Sequence, residues 1–253
     1  MHVHLIAGLD LGPDLALTLL GASVAAFVLA WLSAVAGFGG GVLLLPVFTA
    51  LFGLRTAVPT LTLTQLSSNA ARVWLNRRHL RWRIVGRFAA GAGPFALAGG
   101  LLLAAAPLAP LKRLLGVFLL AVVVWRRINP HPRAPSNWAF VGVGAASGLG
   151  SALLGSVGPL TAPFFLAAGL TRDAYIGTEA ACALLLHLTK LAAYGTVSLL
   201  DTRILLLGAA LTPATLLGAW AGKRTVGRLS DRLFTHLVEA GLVAAGVLFL
   251  AGL

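Results

Sequence analysis

The sequence predicts an all-α, polytopic membrane helix bundle, and three observations carry the prediction. Hydrophobic residues fill 58% of the 253 positions and charged residues 10%, with a mean hydropathy of +0.93. A soluble domain of this length needs far more polar residue to cover its surface. Apolar stretches of roughly twenty residues recur between the charges, long enough to cross a ~30 Å hydrocarbon core as helix. In lipid the backbone must satisfy its own hydrogen bonds, which makes such runs helical.

The expected segments in the first half are Leu15–Ala36, Gly41–Phe52, Thr56–Leu75, Arg83–Ala106 and Leu111–Trp125. A polar linker rich in Pro and Arg follows at Arg126–Asn137. The second half reads Trp138–Leu154, Pro159–Gly169, Asp173–Thr196, Arg203–Ala221 and Leu233–Leu253. The segments beginning at Gly41 and Pro159 are short, and each follows a glycine-rich break.

The two halves repeat. A shift of 117 positions places Gly41 on Gly158, Pro46 on Pro163, Arg55 on Arg172 and Ala57 on Ala174. A shift of 119 places Pro94 on Pro213 and Gly99 on Gly218. A near-constant offset argues for internal duplication, with one repeat over residues 1–128, a linker over 129–137 and a second repeat over 138–253.

The basic residues decide whether the copies are parallel or inverted. If the short segments cross, each half has five crossings and the halves are antiparallel. Lys and Arg then divide 14 to 5, the inner group comprising Arg72, the Arg77–Arg87 and Arg126–Arg133 clusters, Arg172 and the Lys223–Arg232 cluster. If they do not cross, the division falls to 9 against 10. Positive-inside bias favours inversion, with both termini on the non-cytoplasmic side. Inverted repeats with broken helices are a common transporter plan.

The net charge of +12 does not indicate nucleic acid, because the basic residues cluster between apolar runs and form no stripe with interleaved aromatics. Cys182 is the single cysteine and excludes an internal disulfide. Met1–Asp14 carries no Lys or Arg and so lacks the positive region of a cleavable signal peptide.

The first glycine break runs Gly37-Phe38-Gly39-Gly40-Gly41 and leads to Pro46; its partner runs Gly155-Ser156-Val157-Gly158-Pro159 and leads to Pro163. Glycine lets backbone amides turn inward with no side chain in the way. A helix that starts after such a break presents free N–H groups and the positive end of its dipole. Two such starts near the bilayer midplane would cradle an anion between Gly39, Gly40 and Gly41 on one side and Gly155, Ser156 and Gly158 on the other. The competing explanation is close helix packing, since Gly37–Gly41, Gly144–Gly148 and Gly218–Gly222 fit the small-xxx-small spacing. Recurrence at equivalent repeat positions, each before a short helix, favours a site. Soluble nucleotide motifs fail: Val42 stands where the dinucleotide fingerprint needs glycine, and Arg224 where a phosphate loop needs Ser or Thr.

Polar residues inside a membrane are expensive and therefore informative. At 100° per residue, Glu179, Cys182, His187, Lys190 and Tyr194 share one face of Asp173–Thr196. Thr62, Gln65 and Asn69 share a face of Thr56–Leu75, and the 117 shift maps Thr62 on Glu179 and Gln65 on Cys182. The alternative role for Thr62 is hydrogen bonding between helices. Lys190 needs an acidic partner, an anion or loss of its proton; Glu179 is about 16 Å away along the same helix, too far to neutralise it. Lys190 is therefore expected to supply positive charge to an anion path, with Gln65 and Thr62 as uncharged donors. Glu239 is expected near an interface or in a pair.

Gly-Phe-Gly-Gly-Gly followed by Leu-Leu-Leu-Pro, the weaker second copy, and Arg-Trp-Arg at Arg81–Arg83 resemble the TauE/SafE sulfite exporter family of membrane permeases over essentially the whole chain. The second copy departs from the triple glycine at Ser156, Val157 and Pro159. The resemblance implies export or exchange of sulfite, or of an organosulfonate such as sulfoacetate, across a bacterial inner membrane.

The resulting expectation is a secondary transporter using alternating access, with a small anionic substrate and the lipid bilayer as partners, no cofactor and no metal. A proton or sodium ion is open as coupling ion, and so is a homo-oligomer. An anion channel shares the same helix-start chemistry. An intramembrane enzyme is disfavoured: there is no His-Glu-x-x-His and no pair of intramembrane aspartates, and Ala145 stands where a serine intramembrane protease motif needs glycine before Ser147.

Overall fold

The computed structural model describes residues 13–36, 40–105, 108–128, 135–136, 138–156, 158–225 and isolated positions between 236 and 251. Among the described residues every regular element is helical: α1 (Pro13–Ala36), α2 (Gly40–Phe52), α3 (Leu54–Asn76), a 3-10 turn at Arg77–His79, α4 (Trp82–Ala105), α5 (Leu108–Ile128), α6 (Ala139–Leu154), α7 (Gly158–Ala167), α8 (Arg172–Thr196) and α9 (Thr202–Thr225). The chain is an all-helical membrane bundle. Most of the expected Leu233–Leu253 segment and of the linker lies outside the described residues, and the positions described from 236 to 250 are helical.

Within α1, α4, α8 and α9 are stretches long and apolar enough to cross a membrane. Helix α3 is about 34 Å long at 1.5 Å per residue, but too polar to face lipid. Its Thr60, Thr62, Thr64, Gln65, Ser68, Asn69 and Arg72 are all buried, because α8 and α9 pack over it. The 13 residues of α2 and the 10 of α7 reach only about 20 and 15 Å. Both fall short of a ~30 Å core and must begin inside the bundle. Helix α5 is longer than the predicted Leu111–Trp125 and takes in Arg126 and Arg127; long basic stems at a helix end can carry their charge to the interface.

Two helix pairs are packed through glycine. A Cβ on Gly144 or Gly148 of α6 would collide with the carbonyls of Phe88 or Ala92 on α4, and one on Gly218 of α9 with the carbonyl of Phe27 on α1. At Gly222 the Trp31 carbonyl of α1 lies 2.6 Å from the position a Cβ would take. For Gly144–Gly148 and Gly218–Gly222 the small-xxx-small spacing is therefore packing. The rising residue numbers show α4 running parallel to α6 and α1 parallel to α9. Between these pairs α3 lies against α8, with α9 also on α3 and α4 also on α8.

One end of the bundle gathers the ends of α1, α3 and α9 and the starts of α4 and α8. Lys223 Nζ donates to Asn76 Oδ1 at 2.8 Å and to Asp173 Oδ1 at 2.7 Å. The Arg81 amide donates to Thr178 Oγ1 at 3.0 Å, and Arg172 donates to the Val35 carbonyl at 3.3 Å. The basic stretch Arg77–Arg81 thus shares an end with Lys223 and Arg224. Arg72, expected at the inner end with those residues, is instead buried within α3. Glu239 pairs with Arg127 at 2.9 Å, which ties the end of α5 to the last segment.

Candidate functional site

A polar cavity of about 40 Å3 lies where the two short helices begin. One water needs ~10–15 Å3 on this measure, so the space suits an ion of a few heavy atoms. Gly41 from the first turn of α2 and Gly158 from the start of α7 both line it. Helix α3 supplies Gln65, Asn69 and Arg72, spaced so that they project from one face. Helix α8 supplies Glu179, Cys182 and His187 from its facing stripe. Helix α6 adds Ser147 and Ser151 one turn apart, and Ser156 follows in the α6–α7 connection. Phe88 and Phe165 close an apolar wall, their ring centroids 6.1 Å apart.

The charges in this lining are buried and paired. Arg72 NH1 lies 3.1 Å from Glu179 Oε2, with side-chain exposures of 4% and 7%. Arg72 NH2 also donates to Asn69 Oδ1, one turn earlier on α3. Two further lining groups have no hydrogen-bond partner among the described residues, Gln65 Nε2 and His187 Nδ1, and both side chains are 4% exposed. A buried polar atom left unmade costs about 1–3 kcal/mol, so groups at the edge of a polar cavity call for a ligand or water there. The α2 break is also tight: a Cβ on Gly41 would sit 2.9 Å from Ser156 Oγ and 3.2 Å from Gln65 Cδ and Oε1.

The cavity thus joins both halves of the chain, two helix starts, one guanidinium, one carboxylate and unpartnered polar atoms. The family model for Sulfite exporter TauE/SafE matches residues 22–249. The chain belongs to the TauE/SafE family. No curated protein and no solved structure gives a significant match to it. Membership makes this an integral membrane permease of a transporter family.

In this TauE/SafE permease the structure brings together Gly41, Ser156, Gly158, Gln65, Asn69, Glu179, Cys182 and His187 from the residues singled out in the sequence. Gly40 opens α2 next to the lining, and Gly39 lies outside the described residues. Gly155 stands at the C-terminus of α6 with φ +82°, a left-handed conformation suited to glycine. Thr62 and Lys190 are fully buried but do not line the cavity. The Thr62 hydroxyl donates to the Val58 carbonyl at 2.8 Å. Lys190 Nζ donates to the Gly155 carbonyl at 2.9 Å and to Ser151 Oγ at 3.2 Å. Its ammonium thus sits at the C-terminus of α6, the end of a helix where a cation is favoured.

Lys190→Met is therefore expected to act on stability more than on the anion. Hydrogen bonds to a charged group are worth about 1.5–3 kcal/mol. The expected result is a clear fall in melting temperature with anion affinity within a few-fold of the parent. Unchanged melting with tenfold weaker binding would return Lys190 to the anion path.

The cation of the cavity is Arg72, which sequence reasoning assigned to an inner loop. The signal was present: Thr62, Gln65, Asn69, Arg72 and Asn76 follow one another at helical spacings of three and four. Ser147 and Ser151 were less legible. The 117 shift maps them on Ala30 and Ala34, so the repeat itself predicts no hydroxyl there. A second cavity, of about 750 Å3, adjoins at Ser147 and Thr161 between α5, α6 and α7. Among the described residues its walls are otherwise apolar and offer no counter-charge.

Proposed function

We propose that this permease carries a small sulfur oxyanion, sulfite or an organosulfonate such as sulfoacetate, held at the N-terminal starts of α2 and α7 beside Arg72. The observation that carries this reading is the polar cavity lined at once by Gly41, Gly158 and Arg72. Free amides and the positive dipole ends of two helices favour an anion, and a guanidinium offers a planar fork matched to oxyanion geometry. Gln65 Nε2 adds a donor that the protein itself leaves unmade. Thermal-shift titration of the purified protein with sulfite, methanesulfonate, sulfoacetate, acetate and choline chloride tests this directly. Stabilisation by the sulfur oxyanions and not by choline chloride is expected. Equal response to all, or to none, contradicts it. Concentrative uptake into liposomes then separates a coupled transporter from a channel.

Transport would proceed by alternating access between inverted repeats at residues 1–128 and 138–253, in a bacterial inner membrane. One feature supports a two-fold relation between the halves, and a second supports its inversion. An inverted pseudo-two-fold axis exchanges α1 with α6 and α4 with α9, and it turns the α1–α9 contact into the α6–α4 contact; both pairs are among the most extensive in the bundle. It likewise exchanges the α3–α9 and α8–α4 contacts. The basic ends of α3 and α9 also meet through Lys223 and Asn76. Single cysteines near Arg78 and near Lys223, on a Cys182→Ala background, should both be labelled from the cytoplasmic side. Labelling from opposite sides contradicts inversion.

A further inference from the structure

We infer that the anion crosses together with one proton, carried on the Glu179 carboxylate, and that the carried species is a monoanion. This inference rests on the anion-site reading above and deepens it. The geometry is a competition for one guanidinium. Arg72 NH1 donates to Glu179 Oε2 at 3.1 Å, both side chains are almost fully buried, and both line the cavity. An oxyanion seated between Gly41 and Gly158 needs the same guanidinium, so its approach competes with the carboxylate already there.

Charge balance decides which states can exist in the interior. Of the charged side chains that line the cavity, the empty site holds Arg72 positive and Glu179 negative, a net charge of zero, while the Lys190 ammonium is held apart from them by the Gly155 carbonyl at the negative end of α6. A monoanion added to that pair leaves one uncompensated negative charge, and a proton added alone leaves one uncompensated positive charge. Either is costly where water is excluded. Adding both restores zero: the proton goes to a Glu179 oxygen, and the freed guanidinium N–H is given to the anion. The neutral empty site and the neutral loaded site are then the two that can reorient across the membrane. A dianion on the same groups would remain one charge short, so sulfite would cross as hydrogensulfite and sulfoacetate only with its carboxylate protonated.

Among the described residues no other charged group is placed to replace Glu179. Helix α8 is packed by α3, α4, α7 and the Arg77–His79 turn. On α3 the remaining charge, Arg55, is exposed at the far end. On α4 Arg83 is exposed, and the Arg87 guanidinium lies over the Trp138 ring at 5.0 Å. Arg77, Arg78 and His79 are exposed, and α7 contains no titratable residue. On α8 itself Arg172 bonds the Val35 carbonyl, Asp173 pairs with Lys223, and Lys190 turns to Ser151 and Gly155. His187 also lines the cavity and is the alternative proton carrier that the test must separate from Glu179.

The test uses the full chain in detergent and methanesulfonate, a monoanion with no proton to gain near neutral pH. In weakly buffered solution with an indicator dye, the parent protein should take up close to one proton per anion bound. Its apparent Kd should rise about tenfold per pH unit while Glu179 is ionised in the empty site, as proton linkage requires. Glu179→Gln should take up no proton, and its Kd should be flat with pH. Binding without proton uptake by the parent protein overturns the inference, and so does sulfate binding more tightly than methanesulfonate. A pH slope that survives Glu179→Gln and vanishes in His187→Gln overturns the assignment to Glu179. If the parent protein binds no anion at all, the anion-site reading itself fails, a result distinguishable from binding without protons.

Discussion

Arg72→Met is expected to unfold or strongly destabilise the protein, while Arg72→Met combined with Glu179→Met restores a folded but inactive one. Removing the guanidinium leaves the Glu179 carboxylate buried without the partner it has at 3.1 Å. Stranding one charge of a buried pair costs about 3–5 kcal/mol, whereas replacing both by apolar groups of similar volume is often neutral. The double variant therefore separates the two roles of the pair. Melting temperature reports the fold, and anion binding reports the site. A double variant that melts like the parent and still binds sulfite would show that Arg72 and Glu179 do not serve the anion. If Arg72→Met alone is as stable as the parent, the buried pair does not hold the bundle.

Gly41→Val is expected to abolish binding with the fold retained, whereas Gly144→Val is expected to lose the fold. At Gly41 an added Cβ meets side-chain atoms, Ser156 Oγ at 2.9 Å and Gln65 Cδ at 3.2 Å, which can turn aside into the cavity. The added bulk then occupies the space of the ligand. Loss of about tenfold or more in affinity is expected, equivalent to roughly 1.4 kcal/mol or more. At Gly144 the Cβ meets the backbone carbonyl of Phe88, so α4 and α6 must separate. Overpacking of that kind costs about 1–3 kcal/mol or more. Solubilised yield and melting curves measure the second effect, and sulfite titration the first. Gly41→Val protein that binds sulfite like the parent contradicts the cradle at α2.

The contrast between these two glycines shows where sequence reasoning reaches and where it stops. Both belong to small-xxx-small spacings, and spacing alone cannot separate a ligand cradle from a helix contact. What separates them is the neighbour: Ser156 and Gln65 in one case, a main-chain carbonyl in the other. Apolar length and the absence of polar cover made the helical membrane class legible, because bilayer thickness and backbone satisfaction leave few alternatives. The stripes on α3 and α8 were legible because helical period places Gln65 with Asn69 and Glu179 with Cys182. Partner choice was not. Lys190 was the natural cation on its own stripe, yet its four-carbon stem carries the ammonium to the C-terminus of α6. Arg72 enters the cavity because α3 and α8 cross there, a tertiary contact that no periodicity within one helix specifies.

The two halves of the chain also differ in what they bring to the cavity. The first break ends in Gly39, Gly40 and Gly41, while the second offers Ser156 and, beside it, Ser147 and Ser151 where the 117 shift finds Ala30 and Ala34. Two short helices start at one cavity, yet most of the hydroxyls that line it come from the second half of the chain.

The most direct measurement of the central claim is the position of an anion with a strong anomalous signal. Crystals of the protein grown with selenite, a heavier analogue of sulfite, should give a selenium peak between the starts of α2 and α7, within hydrogen-bonding distance of the Arg72 guanidinium. A peak confined to the surface cluster around Arg77–Arg81, or beside Lys190 with the cavity at Gly41 and Gly158 empty, would contradict the account.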